Sequence, residues 1–452
     1  MSDDVLQLAG VGCDYGAINA SNKIARVYDN RNRLTSVTYP GSTDENIAQT
    51  WWPNSLRKTA SRGGITRTTN YNRRGLLTYE TLAIDGDPYE IDYAYNTRGQ
   101  LSGLTYPDAT AIDYAPDAWG EPTKVGTYAS GLTYWPNGAV KTFSYGNGVA
   151  HAMSQNTRLL PQTVTEGSVI NTDYGYDGVG NVTAITDHLA AHTDSVAMGY
   201  DLANRLQTAN AAAMWGNATF GYDDSDNLKT ATVGGVTTSF TIDAATNRAT
   251  AMVVLGVSTP LQYDGQGHLT HKGSQVFTFD RSDLLLGLPG IESYRYDADG
   301  RRTVTDINGG QRVSIYDHDG KLLEELEPAP QLGCAPANDR VFCSSFEKPP
   351  VNAAETRYAY LGTHLVGKDD SQGRHYLHTD ALGSLLAETD QSQTVTKRYH
   401  YLPFGGAYGA APDGPGYTGA VTDASGLVYL QARYYDPQLG RFLSTDPVDP
   451  DP

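Results

Sequence analysis

The sequence places four candidate metal ligands close together in its last quarter. The stretch "HYLHTD" contains His375, His378 and Asp380, and His400 follows in "KRYHYLP". Imidazole nitrogens and carboxylate oxygens are common ligands of zinc. In a β-strand, however, positions three apart face opposite sides of the sheet, so His375 and His378 would not converge. We therefore predict no metal site and no cofactor.

Other motifs point to no familiar reaction. The chain has no Gly-Lys-Ser/Thr phosphate loop, no Gly-x-Ser-x-Gly nucleophile elbow and no His-Glu-x-x-His. The three cysteines lack zinc spacing. Cys334 and Cys343 could close a small loop outside the cytosol, which would leave Cys13 unpaired, or both could stay reduced.

Composition indicates strands and turns as the elements that position these side chains. The chain holds 31 Tyr and 48 Gly but only 9 Phe and 5 Met, a balance that favours half-buried strands joined by tight turns over helices. The formal charge of -18 argues against binding to nucleic acid or to an anionic membrane surface. No run of about 18 apolar residues is present, and "MSDDVLQLAGVGCDYG" lacks the features of a secretory signal, so we expect any export to use another route.

One short phrase recurs along the chain. Copies are "YDNRNRL" at Tyr28, "YNRRGLL" at Tyr71, "YNTRGQL" at Tyr95, "YDGVGNV" at Tyr176, "YDLANRL" at Tyr200, "YDDSDNL" at Tyr222, "YDGQGHL" at Tyr263, "YDADGRR" at Tyr296 and "YDHDGKL" at Tyr316. Successive starts from Tyr176, through a worn copy at Ile242, to Tyr263 differ by 24, 22, 20 and 21 residues. This constant spacing is the signature of a repeat architecture.

Each phrase predicts a hairpin turn. An Asp at the first turn position accepts backbone hydrogen bonds from the residues ahead of it, and a Gly three residues later adopts a conformation that is costly for other residues. The predicted turn residues are Asp29, Asp177 and Gly180, Asp264 and Gly267, Asp297 and Gly300, Asp317 and Gly320, and Asp380 and Gly383. Between the turns, segments such as "VTTSFTI" alternate as half-buried strands do.

The predicted fold class is therefore all-β, a spiralling ribbon of antiparallel hairpins that forms a partial or open shell. Residues 1–323 form the repeat ribbon in this prediction. Residues 324–356 are rich in Pro, lack the turn phrase and are interpreted as an insertion or linker. Residues 357–452 form a C-terminal region denser in aromatic residues and His.

These phrases resemble the YD repeats of the rearrangement-hotspot (RHS) family. The ordered set "HTDALGS", "YLPFG", "YTG" and "ARYYDPQLGRFLSTDP" resembles the repeat-associated core domain of that family. The resemblance extends over nearly the whole chain. It implies a β-strand ribbon that spirals into a hollow shell, as in bacterial polymorphic toxins, the C components of insecticidal toxin complexes and, more distantly, teneurins.

The resemblance also implies a role in enclosing a toxin. In toxin members the shell surrounds a variable C-terminal toxin domain, and in several the core releases it by aspartyl autoproteolysis. This chain ends in "DPVDPDP", without the family's terminal cleavage segment. Asp446 is the only weak candidate for a cleavage carboxylate, and one carboxylate cannot act as a proton-sharing pair. We therefore expect no autoproteolysis and no toxin domain.

The C-terminal phrase is interpreted as structural, as a plug or seam of the shell. Asp436 and Pro437 set a turn that Gly440 relaxes, while Arg433 and Arg441 are expected to pair with carboxylates. The full predicted core motif consists of Arg433, Tyr434, Tyr435, Asp436, Pro437, Gly440, Arg441, Asp446 and Pro447.

Four functional hypotheses follow. The first is a non-enzymatic shell protein, secreted or at the cell surface, whose partners are a toxin cargo or another shell chain. The second is a surface protein that binds carbohydrate by stacking sugar rings on Tyr. The third, a self-processing enzyme, predicts cleavage that Asp446→Asn abolishes. The fourth, a displaced gene fragment without a task, predicts an unfolded isolated chain whose strand edges would aggregate.

Overall fold

The computed structural model describes residues 23–189, 194–307, 310–327 and 354–446. Within these ranges the regular structure is β-strand, apart from one 3₁₀ turn at Tyr417–Gly419. None of the helical structure described there is long and apolar enough to cross a membrane. The all-β prediction is confirmed, and consecutive strands are antiparallel neighbours within each sheet.

The first sheet has nine strands in chain order. They are β1 (Ala25–Tyr28), β2 (Leu34–Thr38), β3 (Ile47–Trp51), β4 (Arg57–Arg62), β5 (Ile65–Tyr71), β6 (Leu77–Ile84), β7 (Asp87–Tyr95), β8 (Leu101–Thr105) and β9 (Ala111–Asp113).

The second sheet has 16 strands, again in chain order. They are β10 (Lys124–Val125), β11 (Ala129–Tyr134), β12 (Val140–Tyr145), β13 (Ala150–Gln155), β14 (Pro161–Glu166), β15 (Ile170–Tyr176), β16 (Val182–Asp187), β17 (Val196–Tyr200), β18 (Leu206–Asn210), β19 (Ala218–Tyr222), β20 (Leu228–Val233), β21 (Val236–Asp243), β22 (Arg248–Val254), β23 (Val257–Tyr263), β24 (Leu269–Lys272) and β25 (Gln275–Val276).

The third sheet has 11 strands and the fourth has four. The third consists of β26 (Thr278–Phe279), β27 (Leu285–Leu288), β28 (Glu292–Tyr296), β29 (Arg302–Ile307), β30 (Gly310–Tyr316), β31 (Leu322–Glu327), β32 (Ala354–Leu361), β33 (His364–Asp370), β34 (Gly373–Thr379), β35 (Leu385–Thr389) and β36 (Val395–Arg398). The fourth consists of β37 (Val421–Thr422), β38 (Val428–Tyr429), β39 (Tyr434–Asp436) and β40 (Arg441–Phe442).

The chain divides into two compact units. Unit 1 contains residues 1–116, 278–359 and 368–374, and unit 2 contains residues 117–277, 360–367 and 375–452. The predicted insertion at 324–356 includes the end of β31 and the start of β32. Its residues 328–353, with Cys334 and Cys343, lie outside the described residues, as does Cys13. The three-part division of the chain stays a prediction.

In unit 1 the core combines aliphatic side chains with paired charges. Ile65, Leu82 and Ile91 on adjacent strands are fully buried. Beside them the buried Arg67 guanidinium donates to Glu80 at 2.6 Å and to the turn residue Asp297 at 3.3 Å. The buried guanidinium of Arg67 is stabilised because these two carboxylates lie within hydrogen-bonding or ion-pairing distance.

Several tyrosines at the start of a hairpin turn connect that hairpin to the preceding part of the chain. The hydroxyl of Tyr222 donates to the carbonyl of Leu206 at 2.8 Å, and that of Tyr200 donates to Val182 at 3.0 Å. Tyr134, Tyr176 and Tyr401 donate in the same way to Pro122, Pro161 and Leu385. The strand register shifts at the repeat Tyr, for example between Gly221 and Tyr222, as expected where a hairpin turn ends in a bulge.

We predict that Tyr222→Phe lowers the free energy of unfolding by about 1 kcal/mol, because the Leu206 carbonyl loses its donor while the ring is retained. Urea denaturation measures this change. Tyr79→Phe is the matched control, since Tyr79 is 37% exposed, and we expect it to change stability by less than about 0.5 kcal/mol. Equal effects of the two substitutions would contradict the role assigned to the hydroxyl.

Candidate functional site

The predicted turn residues share one geometry. Asp264 Oδ1 accepts the amides of Gln266 at 3.0 Å and His268 at 2.9 Å, and Gly267 follows with a φ of 99°. Asp29, Asp177, Asp297, Asp317 and Asp380 likewise accept the amides two and four residues ahead. Gly180, Gly300, Gly320 and Gly383 also have positive φ. One carboxylate thus holds each turn closed.

Neighbouring turns are joined by a residue that sequence reasoning missed. In unit 2, Arg205 Nη1 donates to the carbonyl of Asp223 in the next turn at 3.0 Å, and Asn227 Nδ2 donates to Asn247 Oδ1 at 2.6 Å. Arg205 and Asn227 each lie four residues after the turn Asp. The recurrence of Arg or Asn at that position was a visible signal for contacts between turns.

The C-terminal segment packs against the repeat ribbon within unit 2. The amide of Leu269 in β24 donates to the carbonyl of Leu443 at 2.7 Å, and Leu443 donates to Tyr434 at 2.9 Å. Arg441 Nη2 donates to Asn227 Oδ1 at 3.1 Å. The backbone and side chains of the segment therefore continue the hydrogen bonding of the repeat.

Asp436 lies at the centre of this contact. Its Oδ1 accepts the amides of Gln438 at 2.8 Å and Leu439 at 3.2 Å, which holds the turn. Its Oδ2 accepts from Lys272 Nζ at 2.6 Å, and the Asp436 and Lys272 side chains are only 3% and 12% exposed. Asp436 thus joins a local turn to a strand that lies 164 residues earlier in the chain.

The other predicted motif residues surround Asp436. Tyr434 is buried, and the Tyr435 hydroxyl donates to the carbonyl of Phe404 at 2.9 Å. Gly440 has a φ of 62°. Pro437 Cβ lies 3.4 Å from where a Cβ at Gly406 would stand.

The end of the motif carries an exposed ion pair. Arg433 Nη2 lies 3.1 Å from Asp446 Oδ1, and the Asp446 side chain is 81% exposed. The Arg433 guanidinium also stacks 3.7 Å from the ring centre of Phe442. Pro447 lies outside the described residues.

A buried polar cluster in unit 2 was not predicted. His151 Nδ1 and His378 Nδ1 lie 2.6 Å and 2.5 Å from the two carboxylate oxygens of Glu166. His378 Nε2 lies 2.8 Å from Thr389 Oγ1, and the Tyr145 hydroxyl donates to Glu166 Oε1 at 3.1 Å. The order carboxylate, imidazole, hydroxyl is that of a hydrolase triad.

Burial of this cluster argues for a structural role. Glu166, His378 and Thr389 are each 0% exposed, so a substrate has no path to the hydroxyl. Burial alone would raise the pKa of Glu166, but the adjacent His378 and His151 lower it to about 2. The cluster therefore connects strands β13, β14, β34 and β35 through charge-assisted hydrogen bonds.

The remaining histidines near "HYLHTD" do not converge with His378. His375 Nδ1 lies 3.8 Å from Glu388 Oε2, and His400 Nδ1 lies 3.8 Å from Asp194 Oδ2. Asp380 is engaged in its turn. Across the described ranges, no group of three or more His, Cys, Asp or Glu side chains is placed to hold a metal ion.

A pair of carboxyl groups does occur in unit 1, far from Asp446 in the sequence. Burial and a hydrogen bond with Glu355 together raise the pKa of Glu324 to about 9. Such a pair shares one proton, as catalytic acid pairs do. Glu324 is only 2% exposed, however, and Arg357 Nε binds Glu355 at 3.0 Å. The arrangement fits a contact between β31 and β32.

Comparison with known proteins identifies the fold. A family model described as Teneurin YD-shell matches residues 356–449. The tRNA3(Ser)-specific nuclease WapA of Bacillus spizizenii is 25% identical over 304 residues, which cover 64% of this chain and 10% of that protein. Toxin subunit YenC1 of Yersinia entomophaga is 28% identical over 199 residues, which cover 42% of this chain and 18% of that protein.

A solved structure agrees with these matches. The crystal structure of TcdB2-TccC3 superposes with a TM-score of 0.77 and 19% identity, covering 95% of this chain and 26% of that chain. The predictions of a YD-repeat shell fold and of an all-β hairpin ribbon are confirmed. This chain spans between a tenth and about a quarter of the length of these proteins.

We predict that Lys272→Met lowers the free energy of unfolding by about 3 kcal/mol, because Asp436 is left as a buried carboxylate without its cation. Adding Asp436→Asn removes that unpaired charge and should recover part of the loss, as a double-mutant cycle in urea would measure.

Asp446→Asn is the control for this cycle, since it removes an exposed ion pair and should cost less than about 1 kcal/mol. Similar losses in Lys272→Met and Asp446→Asn would contradict the assignment of Lys272 and Asp436 as the central contact.

A second prediction concerns pH. His364 Nε2 lies 3.0 Å from Thr379 Oγ1 and its ring is 6.2 Å from that of His151. Burial and His151 lower the pKa of His364 to about 4, although Glu166 opposes this. The unfolded chain therefore binds more protons below the ordinary His pKa of about 6.5. The contribution of His364 to the free energy of unfolding is therefore fully present above pH 6.5 and is lost as the pH falls towards 4.

We expect His364 to account for about 2 kcal/mol of lost stability between pH 7 and pH 4.5. This value is smaller than the full pKa shift would give, because the His364 side chain retains some solvent exposure. Urea denaturation at several pH values measures the slope, and His364→Gln should be flatter by that amount. Parallel pH curves for the two proteins would refute the shifted pKa.

Proposed function

We propose that this chain, which is similar to RHS/YD-repeat shell proteins, forms part of a non-enzymatic wall that encloses a polypeptide cargo. The proposed cargo is a toxin, and the proposed partner is a further length of YD-repeat wall. Export to the outside of the cell is part of the same proposal.

The observation that carries this proposal is the packing of the C-terminal core segment against the repeat. Leu443 accepts a backbone hydrogen bond from β24, and Asp436 binds Lys272 of the same strand. A segment held in this way is continuous with the ribbon, as a wall requires. The nearly buried ion pair between Lys272 and Asp436 is not expected for a mobile tail that displays a binding loop.

The tyrosine contacts favour a wall over a glycan-binding surface. The hydroxyls of Tyr176, Tyr200 and Tyr222 donate to backbone carbonyls of neighbouring strands, and that of Tyr134 donates to the carbonyl of Pro122. Tyr200 and Tyr222 thus contribute their polar atoms to strand alignment. A carbohydrate site would instead use the ring faces and free hydroxyls of exposed tyrosines.

The surroundings of Asp446 favour a non-enzymatic role over self-processing. Aspartyl proteolysis needs two carboxyl groups that share a proton and activate water. Asp446 is exposed, and among the described residues it forms an ion pair with the guanidinium of Arg433. The nuclease activity in the name of the Bacillus relative belongs to a protein of which this chain covers 10%.

Limited proteolysis of the natural polypeptide that carries this segment, with any co-encoded partner, tests the proposal. We expect trypsin to spare an enclosed cargo in buffer and to digest it once urea opens the wall. Mass spectrometry of the fragments identifies the protected region. Lys272→Met should lose that protection at lower urea than the wild type, and Asp446→Asn should behave as the wild type does.

Two results would overturn the proposal. Digestion of every region at the same rate in buffer would exclude an enclosed cargo. Disappearance of a natural cleavage fragment in Asp446→Asn would instead establish self-processing. If the first result were accompanied by specific binding on a glycan array, the carbohydrate hypothesis would replace the wall.

A further inference from the structure

Unit 2 contains a mainly apolar cavity that the wall role does not use. Its volume is about 240 Å³, and its lining includes Ile185, Met198, Leu206, Trp215 and Leu386. Apolar cavities of roughly 150 Å³ are large enough to hold benzene. The space is therefore sufficient for a small organic molecule.

One cation lines this cavity without a close counter-ion. Arg398 Nη2 donates to the carbonyl of Val169 at 3.1 Å. Within the described ranges, no carboxylate oxygen lies within 4.0 Å of the Arg398 side-chain nitrogens. A guanidinium carries five N–H donors in a planar fork that matches a carboxylate. Most of these donors are available to a ligand.

The acidic residues of the lining compensate Arg398 only in part. Asp187, Asp194 and the turn residue Asp380 also line the cavity, and Asp380 accepts the amides of Leu382 and Ser384. Asp187 Oδ1 accepts the amide of Leu189 at 3.0 Å, and Asp194 lies 3.8 Å from His400. Burial lowers the pKa of Arg398 despite the opposing effect of Asp194 and Asp187. Among the described residues, therefore, no carboxylate bonds directly to the guanidinium of Arg398.

We propose that this cavity binds a small amphipathic carboxylate, whose alkyl or aromatic body occupies the apolar space while its carboxylate accepts hydrogen bonds from Arg398. An apolar body near Trp215 and Met198 gains the free energy of leaving water. A carboxylate supplies the planar acceptor that Arg398 lacks. A cationic head group placed at Arg398 would bring like charges together.

Methionine NMR gives a direct test with internal controls. Met198 and Met214 line the cavity, whereas Met153 and Met252 do not. The folded protein labelled with ¹³C at the methionine methyl groups is titrated with octanoate. We expect saturable shifts at Met198 and Met214 and none at Met153 and Met252. Titrations with octanol and octylammonium separate the carboxylate from the alkyl chain.

Two variants sharpen the test. Arg398→Gln removes the charge, and we expect it to weaken octanoate binding roughly tenfold or more while octanol binding is unchanged. Val196→Phe places a larger side chain at the cavity wall and should weaken both ligands. The methionine spectrum without ligand establishes that each variant is folded, and Val196→Phe tests the site independently if Arg398→Gln fails to fold.

Any of four results would overturn the proposal. The first is that octanoate at millimolar concentration produces no shift at Met198 and Met214. The second is that octanoate shifts all described methionines alike. The third is that octylammonium binds as tightly as octanoate. Equal octanoate affinity in the wild type and in Arg398→Gln would also refute the assigned role of the guanidinium.

Discussion

The architecture depends on one local interaction, the hydrogen bonds from the turn aspartate to the amides ahead of it. At Asp264 a single carboxylate oxygen accepts the amides of Gln266 and His268. Such bonds compete with extended structure and force the chain to reverse. Each reversal sets the register of two strands, and the next residues, such as Arg205 and Asn227, bind the following turn. Repetition of this turn along the chain therefore produces the ribbon of hairpins.

A ribbon built in this way leaves polar groups where later strands pack against it, and these groups determine how the C-terminal segment is held. Asp436 binds Lys272, and Glu166 binds both His151 and His378. Each pair is almost fully buried, so loss of one partner would leave a charge in a poorly solvated site. These contacts favour a single arrangement of the core segment over a loosely attached tail.

A sequence is most informative where the physics is local. The turn phrase depends on residues within five positions of one another, so Asp297 and Gly300 were predictable from chain chemistry alone. The His378 contact with Glu166 joins residues 212 positions apart, and nothing in either neighbourhood indicates the other. The strand argument did predict that His375 and His378 would not converge, and they have different partners. The hydrogen bonds between neighbouring turns could have been predicted, because Arg or Asn recurs four residues after the turn Asp.

We propose that the C-terminal core segment is an integral part of the repeat wall. Native-state hydrogen exchange read by mass spectrometry tests this most directly, because it reports the free energy at which each region opens. We predict that residues 434–443 exchange with the same opening free energy as strands β20 and β24, which they contact. Exchange of residues 434–443 at nearly the unprotected rate, while β20 and β24 stay protected, would contradict this role.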